Sequence, residues 1–366
     1  MKVLYDHYIF TDQKYGGISR YFYELIKFFN INKNVEVSVP LVFSNNYYIK
    51  DCKDVDHLQF FPNHSFKGKQ KLLFLMNRAV LILHLRRKNF NIYHPTYYDT
   101  FFLNFIGNEK VVVTVYDMIH EKFKYLFPDN DKTTSNKRIV CQKSSKIIAI
   151  SQSTKKDLIE LFNIEESKIE VIYLGNSMVL NKKFEVSCKL PEKYILFVGG
   201  RGGYKNFDKF IKGVGSLLNN NLSVVCVGGG KFTDEELFLF EKLNVSNKVL
   251  HFDFPDDDSL AYCYSQALMF VFPSLYEGFG IPILESFACG CPLVCSNTSS
   301  FPEVASDGAE YFDPYSVKSI YTSVKKVLGS NDLRELLIQN GTERLKYFSW
   351  EKTAIKTKNI YDNLLN

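Results

Sequence analysis

The sequence predicts an α/β protein made of two doubly wound, parallel-sheet domains that face a shared cleft. Three observations predict it. Short apolar runs alternate with helical ones along almost the whole chain. The alternation breaks at one polar stretch and then restarts. The chain also has 366 residues, 46% of them hydrophobic, which is enough for two cores and argues against disorder.

In the front half, "KVLYDHYIF" reads as a strand leading to a turn at Gly16-Gly17 and the helix "SRYFYELIKFF". "NIYHP", "KVVVTVYDM" and "SKIIAIS" read as further strands, the last followed by the helix "QSTKKDLIELF", and "IEVIYLG" closes the half. In the back half, "KYILFVGG" leads through a glycine turn to "NFDKFIKGVGSLL", "LSVVCVGGG" to "TDEELFLFEKLN", and "KVLHFDF" to "DDSLAYCYSQA". "LMFVFPS" then leads to "SLYEGFGIPILESFACGCP", and "PLVCS" and a helical tail follow. Such short apolar runs suit strands buried on both faces. Repeated strand–turn–helix units build a parallel sheet. The polar stretch "NSMVLNKKFEVSC" separates the two sets and divides the chain into 1–188, 189–345 and a terminal helix, 346–366. In open sheets of this kind ligands bind beyond the strand carboxyl ends, so the cleft is the expected site.

Charge is uneven. Residues 1–190 carry 28 Lys and Arg against 19 Asp and Glu, or +9; the remainder carries 17 against 21, or −4. A basic front half fits phosphate-bearing or membrane-surface ligands, with ordinary surface variation as the plain alternative. The N-terminus lacks the continuous apolar core of a signal peptide. The segment from Lys71 to Lys88, "KLLFLMNRAVLILHLRRK", is interrupted by Arg78 and is short of a bilayer span. It reads either as a helix packed on the core or as one lying on an anionic membrane, with Lys67, Lys69, Lys71, Arg86, Arg87 and Lys88 at its ends. Cys289, Cys291 and Cys295 resemble a metal cluster only superficially, because zinc sites pair separated ligands; small buried thiols in a reduced, cytoplasmic chain are expected instead.

Two stretches carry chemistry. "VGGRGGYKN" follows a strand, and its glycine turn with Arg201 and Lys205 suits a diphosphate. In "SLYEGFGIPILESFACGCP", Gly278 and Gly280 allow close backbone approach, Pro282 suits a first helical turn, Glu277 lies in the turn, and Glu285 lies about one helical turn in from Ile281, near the helix mouth. A carboxylate accepts two hydroxyl hydrogen bonds at once. Two of them around an anion-binding turn fit a nucleotide sugar, with the sugar at one end and the ribose at the other.

These stretches, together with "YGGISRYFYEL", "IYHPTYYD", "VVVTVYDMIH", "IIAISQSTKKDL", "SSFPEVASDGAEYFDP" and "FSWEKTA", stand in the order of one family. The chain resembles the retaining glycosyltransferases of the GT-B fold, family 4 (glycosyl transferases group 1), particularly mannosyltransferases of bacterial surface polysaccharides. The resemblance implies two Rossmann-like domains, with the 346–366 helix packed back on the first. It implies that Arg201 and Lys205 neutralise the leaving diphosphate. Glu277 would hold donor sugar hydroxyls beside the backbone of Gly278, Phe279, Gly280 and Ile281, and Glu285 would hold the ribose. Gly16 and Gly17 would approach the donor phosphates, and the turn at Phe254 and Pro255 would form the base pocket. Asp117 stands at the aspartate of the family's His-Asp pair, but Tyr116 replaces the histidine. Tyr116 or His120 would then take that role on the acceptor side, with His94 and Tyr97 at a neighbouring strand end.

The implied reaction is hexosyl transfer with retention by front-face attack, in which the leaving phosphate oxygen takes the acceptor's proton. GDP-mannose is the favoured donor and a UDP-sugar the second. The acceptor is a glycan or a lipid-pyrophosphate-linked glycan at the inner membrane face. Neither a cofactor, a metal nor nucleic acid is expected. "DND" (129–131) and "DDD" (256–258) mimic a D-x-D metal motif, but the second reads as a helix N-cap run. A dinucleotide oxidoreductase is excluded by the absence of G-x-G-x-x-G in the first turn. A GT-B epimerase and a non-catalytic nucleotide-sugar binder remain as rivals.

Overall fold

The computed structural model describes residues 1–50, 52–181, 189–254 and 256–366. The chain forms two compact units: Met1–Leu174 joined by Trp350–Asn366, and Gly175–Ser349. The expected boundary at 188 lies outside the described residues, and the units divide earlier, after the last strand of the first sheet.

The first unit holds β1 (Lys2–Tyr5), β2 (Glu36–Ser38), β3 (Ile92–His94), β4 (Lys110–Val115), β5 (Lys146–Ala149) and β6 (Ile169–Val171). They form one parallel sheet in the order β2-β1-β3-β4-β5-β6. The first strand is shorter than "KVLYDHYIF" suggested. Asp6 accepts from the Tyr8 amide at 3.0 Å, which turns the chain into a helix over Tyr8–Asp12. Buried His7, with Nδ1 3.0 Å from the Thr11 hydroxyl, belongs to that turn and not to the strand. The helix over Trp350–Leu365 packs on Gly17–Asn32 and completes this unit's core, with Ala354, Ile360 and Tyr361 buried.

The second unit holds β7 (Tyr194–Val198), β8 (Ser223–Val227), β9 (Val249–Phe252), β10 (Met269–Phe272), β11 (Leu293–Ser296) and β12 (Ala309–Phe312). The order is β12-β11-β10-β7-β8-β9, again parallel. β10 and β11 are wholly buried, as a strand covered by helices on both faces must be. Cys289, Cys291 and Cys295 are buried free thiols, as their apolar context predicts. Thr233 and Glu236 form a reciprocal capping box at the head of Asp234–Lys242. Asp256 caps Asp257–Gln266 by accepting from the Ser259 amide at 2.8 Å, so the "DDD" run begins a helix.

Both sheets contain a point where the chain reverses its direction of travel. In the first it falls between β1 and β3, in the second between β7 and β10. The loops leaving such adjacent strands diverge to opposite faces and open a crevice, which is where ligands enter doubly wound sheets.

Candidate active site

In the second unit the reversal point is lined by the loops after β7 and β10, the two stretches singled out in the sequence. The loops are tied together by the Leu275 amide, which donates to the Tyr204 carbonyl at 2.7 Å. Asn206 adds to this by donating to the carbonyls of Pro273 (3.1 Å) and Pro314 (2.8 Å). Held this way, Lys205 Nζ lies 2.7 Å from Glu277 Oε1, with the side chains 22% and 12% exposed. Burial works against the ammonium, but Glu277 and Tyr204 outweigh it and raise the Lys205 pKa, so the side chain stays cationic.

Glu277 is fixed from several sides. Ser274 Oγ donates to its Oε1 at 2.7 Å, its amide donates to Ser299 Oγ at 3.0 Å, and its carbonyl accepts from Ser300 Oγ at 3.0 Å. Gly280 then opens the helix Ile281–Ala288 with φ +97, a backbone conformation that a residue with a Cβ rarely adopts. At that helix end Pro282 carries no N–H and the Ile283 amide donates to the Gly280 carbonyl at 2.9 Å, so what the helix offers an anion is the positive end of its dipole. Glu285 follows on this helix, 8% exposed, and accepts from the Tyr264 hydroxyl at 3.2 Å. Burial and then Glu285 push the Tyr264 pKa well up, which keeps this donor protonated. Phe279 is buried, edge-on to Phe348 at 5.7 Å, so its contribution to a ligand is backbone. Phe254 stacks on Phe252 just past β9; Pro255 lies outside the described residues.

Arg201 differs from the expectation. The guanidinium is 3% exposed, and it donates to Glu236 at 2.8 Å and to the carbonyls of Gly228, Gly230 and Lys231 at 2.8–2.9 Å. Instead of standing with Lys205 as a matched pair, it holds the glycine loop after β8. The reason is packing: Gly229 runs so close that a Cβ there would sit 2.8 Å from the Gly199 carbonyl, leaving the loop carbonyls to be satisfied by a rigid fork. A cavity of about 440 Å³ lies beside Arg201, Gly202, Phe207, Gly229, Thr233 and Glu236.

In the first unit the reversal point brings together the ends of β1 and β3. Tyr8 and Tyr97 stack at 5.4 Å with 17° between ring planes. Beneath them, Asp6 is buried and accepts from the Tyr93 hydroxyl, the Thr96 hydroxyl and the Tyr8 and Thr96 amides; burial lifts its pKa to about 6. Asp117, 30% exposed, accepts from the Ile119 amide at 2.9 Å. Behind it the fully buried Lys137 donates to the Asp117 carbonyl at 2.9 Å and to Glu121 at 2.8 Å. His120 stacks on Phe127, 3.9 Å between centroids, and burial with Lys137 nearby lowers its pKa. Gly16 and Gly17 open the helix Gly17–Asn32, and Ser19 caps back onto the Gly16 carbonyl at 2.9 Å.

Two acceptor-side expectations are corrected here. His94 has no exposed surface, and its ring nitrogens lie 2.6 Å from the Tyr361 hydroxyl and 2.9 Å from the Thr114 hydroxyl; burial lowers its pKa to about 3. It is a neutral core residue. The Tyr116 ring is buried among Tyr21 and Tyr98, and its hydroxyl has no hydrogen-bond partner among the described residues. Asp117, His120 and Tyr97 keep exposure at the strand ends. Sequence reasoning missed Ser274, Ser299, Tyr264, Glu236, Lys137 and Tyr8. Only Ser274, inside the glutamate stretch, carried a signal.

A doubly wound pair of parallel sheets, with a cation and two glutamates at the reversal point of the second, defines a glycosyltransferase of the GT-B fold. The pattern described as Glycosyltransferase Family 4 matches residues 15–176, and that described as Glycosyl transferases group 1 matches residues 180–344. The chain belongs to this family. It is 27% identical to the O-antigen chain mannosyltransferase B of Escherichia coli, over 94% of this chain and 95% of that one. It is 30% identical to the O-antigen chain mannosyltransferase RfbU of Salmonella typhimurium, over 60% of this chain and 65% of that one. Among solved structures, Anabaena HepE in complex with UDP and glucose superimposes over 99% of both chains with a TM-score of 0.75 at 15% identity, a likeness of fold.

Proposed function

We propose that this glycosyltransferase moves a hexose, mannose in first place, from a nucleoside-diphosphate sugar to a glycan or lipid-linked glycan, with retention, in the assembly of a surface polysaccharide such as an O-antigen. The observation that carries the reading is the Lys205–Glu277 pair at the reversal point of the second sheet. The acceptor oxygen bonds to the anomeric carbon on the face from which the bond to the phosphate oxygen breaks. That phosphate oxygen takes the acceptor's proton. Lys205 and the positive end of the helix Ile281–Ala288 stabilise the charge that grows on the diphosphate. Glu277 orients the sugar hydroxyls and Glu285 the ribose. A hydrolase using two carboxylates as acid and nucleophile fits less well, because Glu277 is held by a cation and Glu285 by Tyr264.

Arg201 acts by shaping the glycine loop. On the acceptor side, Tyr8 and Tyr97 offer a stacking surface for a pyranose, with Asp117 at its rim. The mannosyltransferase relatives support mannose as the transferred sugar, for which GDP-mannose is the first donor to test; the UDP complex of HepE supports a UDP-sugar as second donor. Transfer without a metal is supported by the cationic Lys205 and by the use of Asp256 and Asp131 as backbone acceptors.

The test is a nucleotide-release screen over purified GDP- and UDP-sugars, with and without glycan acceptors. Acceptor-dependent GDP release from GDP-mannose is expected, with an α-linked product by NMR. An inverted product would end the retaining reading, and C2-epimerised sugar without an acceptor would favour the epimerase. Loss of activity with a chelator, restored by Mn²⁺, would overturn metal independence.

A further inference from the structure

A second group of tyrosines gathers near the stacked Tyr8, at the carboxyl ends of β1 and β2. There the loop after β2 lies against the turn that follows the helix Tyr8–Asp12. The Tyr47 amide donates to the Lys14 carbonyl at 2.8 Å, and Asn46 Nδ2 donates to the Gln13 carbonyl at 2.8 Å. Ser44 and Asn46, both buried, fix the loop from within. The Ser44 hydroxyl donates to the Phe10 carbonyl and accepts from the Asn46 amide at 3.0 Å, and Asn46 Oδ1 accepts from the Tyr48 amide at 3.0 Å. This framework holds up three rings. Tyr15 meets Tyr47 edge-on at 5.5 Å and stacks on Tyr48 at 5.2 Å, with 30° between ring planes. Tyr48 is backed in turn by Tyr23, at 6.1 Å, and by the Arg20 guanidinium, 5.4 Å over its ring.

Tyr15 and Tyr47 nevertheless stay 53% and 47% exposed. Buried polar side chains commit their hydrogen bonds to a surface loop and so hold its rings in one place. Tyrosines ordered in advance bind a ligand with little further loss of freedom. The surroundings select that ligand. Residues 12–24 and 44–54 carry four Lys and Arg against four Asp and Glu, so no net charge draws an anionic surface or a nucleic acid. Among the described residues of these two segments, Tyr15 and Tyr47 are the exposed large hydrophobics, with no exposed leucine, isoleucine or phenylalanine beside them. An acyl chain or the centre of a protein interface needs aliphatic area that this patch lacks. A neutral sugar needs what it has: aromatic surface for the apolar C–H side of a pyranose, and phenol hydroxyls at the rim for the sugar hydroxyls. Tyr8 and Tyr15 are joined by one short helix and a three-residue turn, which keeps their Cα atoms within about 17 Å, so a short oligosaccharide reaches both.

We propose that Tyr15, Tyr47 and Tyr48 form a second sugar-binding platform, which holds the inner residues of a neutral glycan acceptor whose end sugar lies on Tyr8 and Tyr97. The enzyme then extends a chain that an earlier transferase has already built to several sugars. This rests on the reading of the protein as a hexosyltransferase acting on glycans. The test measures binding of α-linked mannotetraose and of methyl α-mannoside to the full-length protein by calorimetry. The tetraose should bind at least about ten-fold more tightly than the monosaccharide. Tyr15→Ala with Tyr47→Ala should erase that gain, while Tyr15→Phe with Tyr47→Phe, which keeps the rings, should retain most of it. Melting temperature and nucleoside-diphosphate binding are the folding controls. If the double alanine variant fails them, Tyr47→Ala alone should still lower tetraose affinity about three-fold.

Equal affinity for the two sugars, or tetraose affinity unmoved by the alanine variants, overturns the proposal. So does a dimer in light scattering that the double alanine variant dissolves, which would assign the rings to a second copy of the chain. The transferase reading fails separately. Tetraose binding through Tyr15 and Tyr47 with no transfer to any acceptor would end that reading and leave the platform. Transfer to methyl α-mannoside and to the tetraose with equal kcat/KM, in the wild type and the variant alike, would do the reverse.

Discussion

Replacing Lys205 with alanine removes the cation from the reversal point and little else. The Lys205–Glu277 contact is 2.7 Å with the side chains 22% and 12% exposed, a charge-assisted bond in a half-buried setting. When donor is bound, the same ammonium faces a diphosphate whose charge rises as the glycosidic bond breaks. A bond of this kind contributes about 1.5–3 kcal/mol, and most of the increment appears only in the transition state. Turnover should therefore fall about 10- to 150-fold, with the donor KM changed far less. The fold should tolerate the change, because Glu277 keeps the Ser274 hydroxyl and its backbone bonds to Ser299 and Ser300. A partly exposed pair costs about 1 kcal/mol or less to remove. The assay is nucleotide release at saturating donor, read beside a thermal melt. Near wild-type turnover would refute the electrostatic role. A melt lowered as far as that of the Arg201 variant would show the pair to be structural.

Arg201→Ala should behave in the opposite sense: it strips a buried guanidinium from three carbonyls and Glu236, costing about 3–5 kcal/mol and lowering Tm by roughly 10 °C, and an unchanged melt would contradict the loop-holding role. Glu285→Ala should weaken nucleoside-diphosphate binding by about 10- to 150-fold in calorimetry, and unaltered affinity would remove Glu285 from the ribose. Acid should destabilise the first unit through its buried histidines, with Asp6, raised to about 6 by burial, opposing them in part below that pH. His94 titrates at about 3 when folded and near 6.5 when unfolded, so the unfolded chain takes up the proton first and stability drains as pH falls below about 6.5. His7, lowered to about 4 by burial and Arg78, adds to this; a His94→Gln variant whose Tm keeps the full wild-type slope between pH 7 and 4.5 would count against it.

Most strands were legible because burial on both faces leaves unbroken apolar runs, as in "MFVF" and "YILFV". β2 and β12 were not: each stands at a sheet edge, and β2, "EVS", has no fully buried residue. The glutamate stretch was legible because its glycines and carboxylates are contiguous. Tyr264 and Ser299 were not, because they reach Glu285 and Glu277 across sequence separations of 21 and 22. Arg201 misled for a related reason. Its place in a glycine turn looks like anion binding, and only the fold reveals that the β8 loop consumes the charge. His94 shows the same limit, since its partner Tyr361 lies 267 residues away.

That last separation sets an order of events. The first unit needs residues 350–366 to fill its core, but the ribosome delivers them only after all of Gly175–Ser349. At usual elongation rates the wait is roughly ten to thirty seconds. Throughout it His94 lacks Tyr361, and the groove on Gly17–Asn32 that receives Trp350–Leu365 lies open. The unit begun first is thus completed last, and the nascent chain carries an unsealed apolar groove past the moment when its second unit can fold. Protease protection of stalled nascent chains should then appear in Gly175–Ser349 before it appears in Met1–Leu174; early protection of the front segment would show that its core closes without the returning helix.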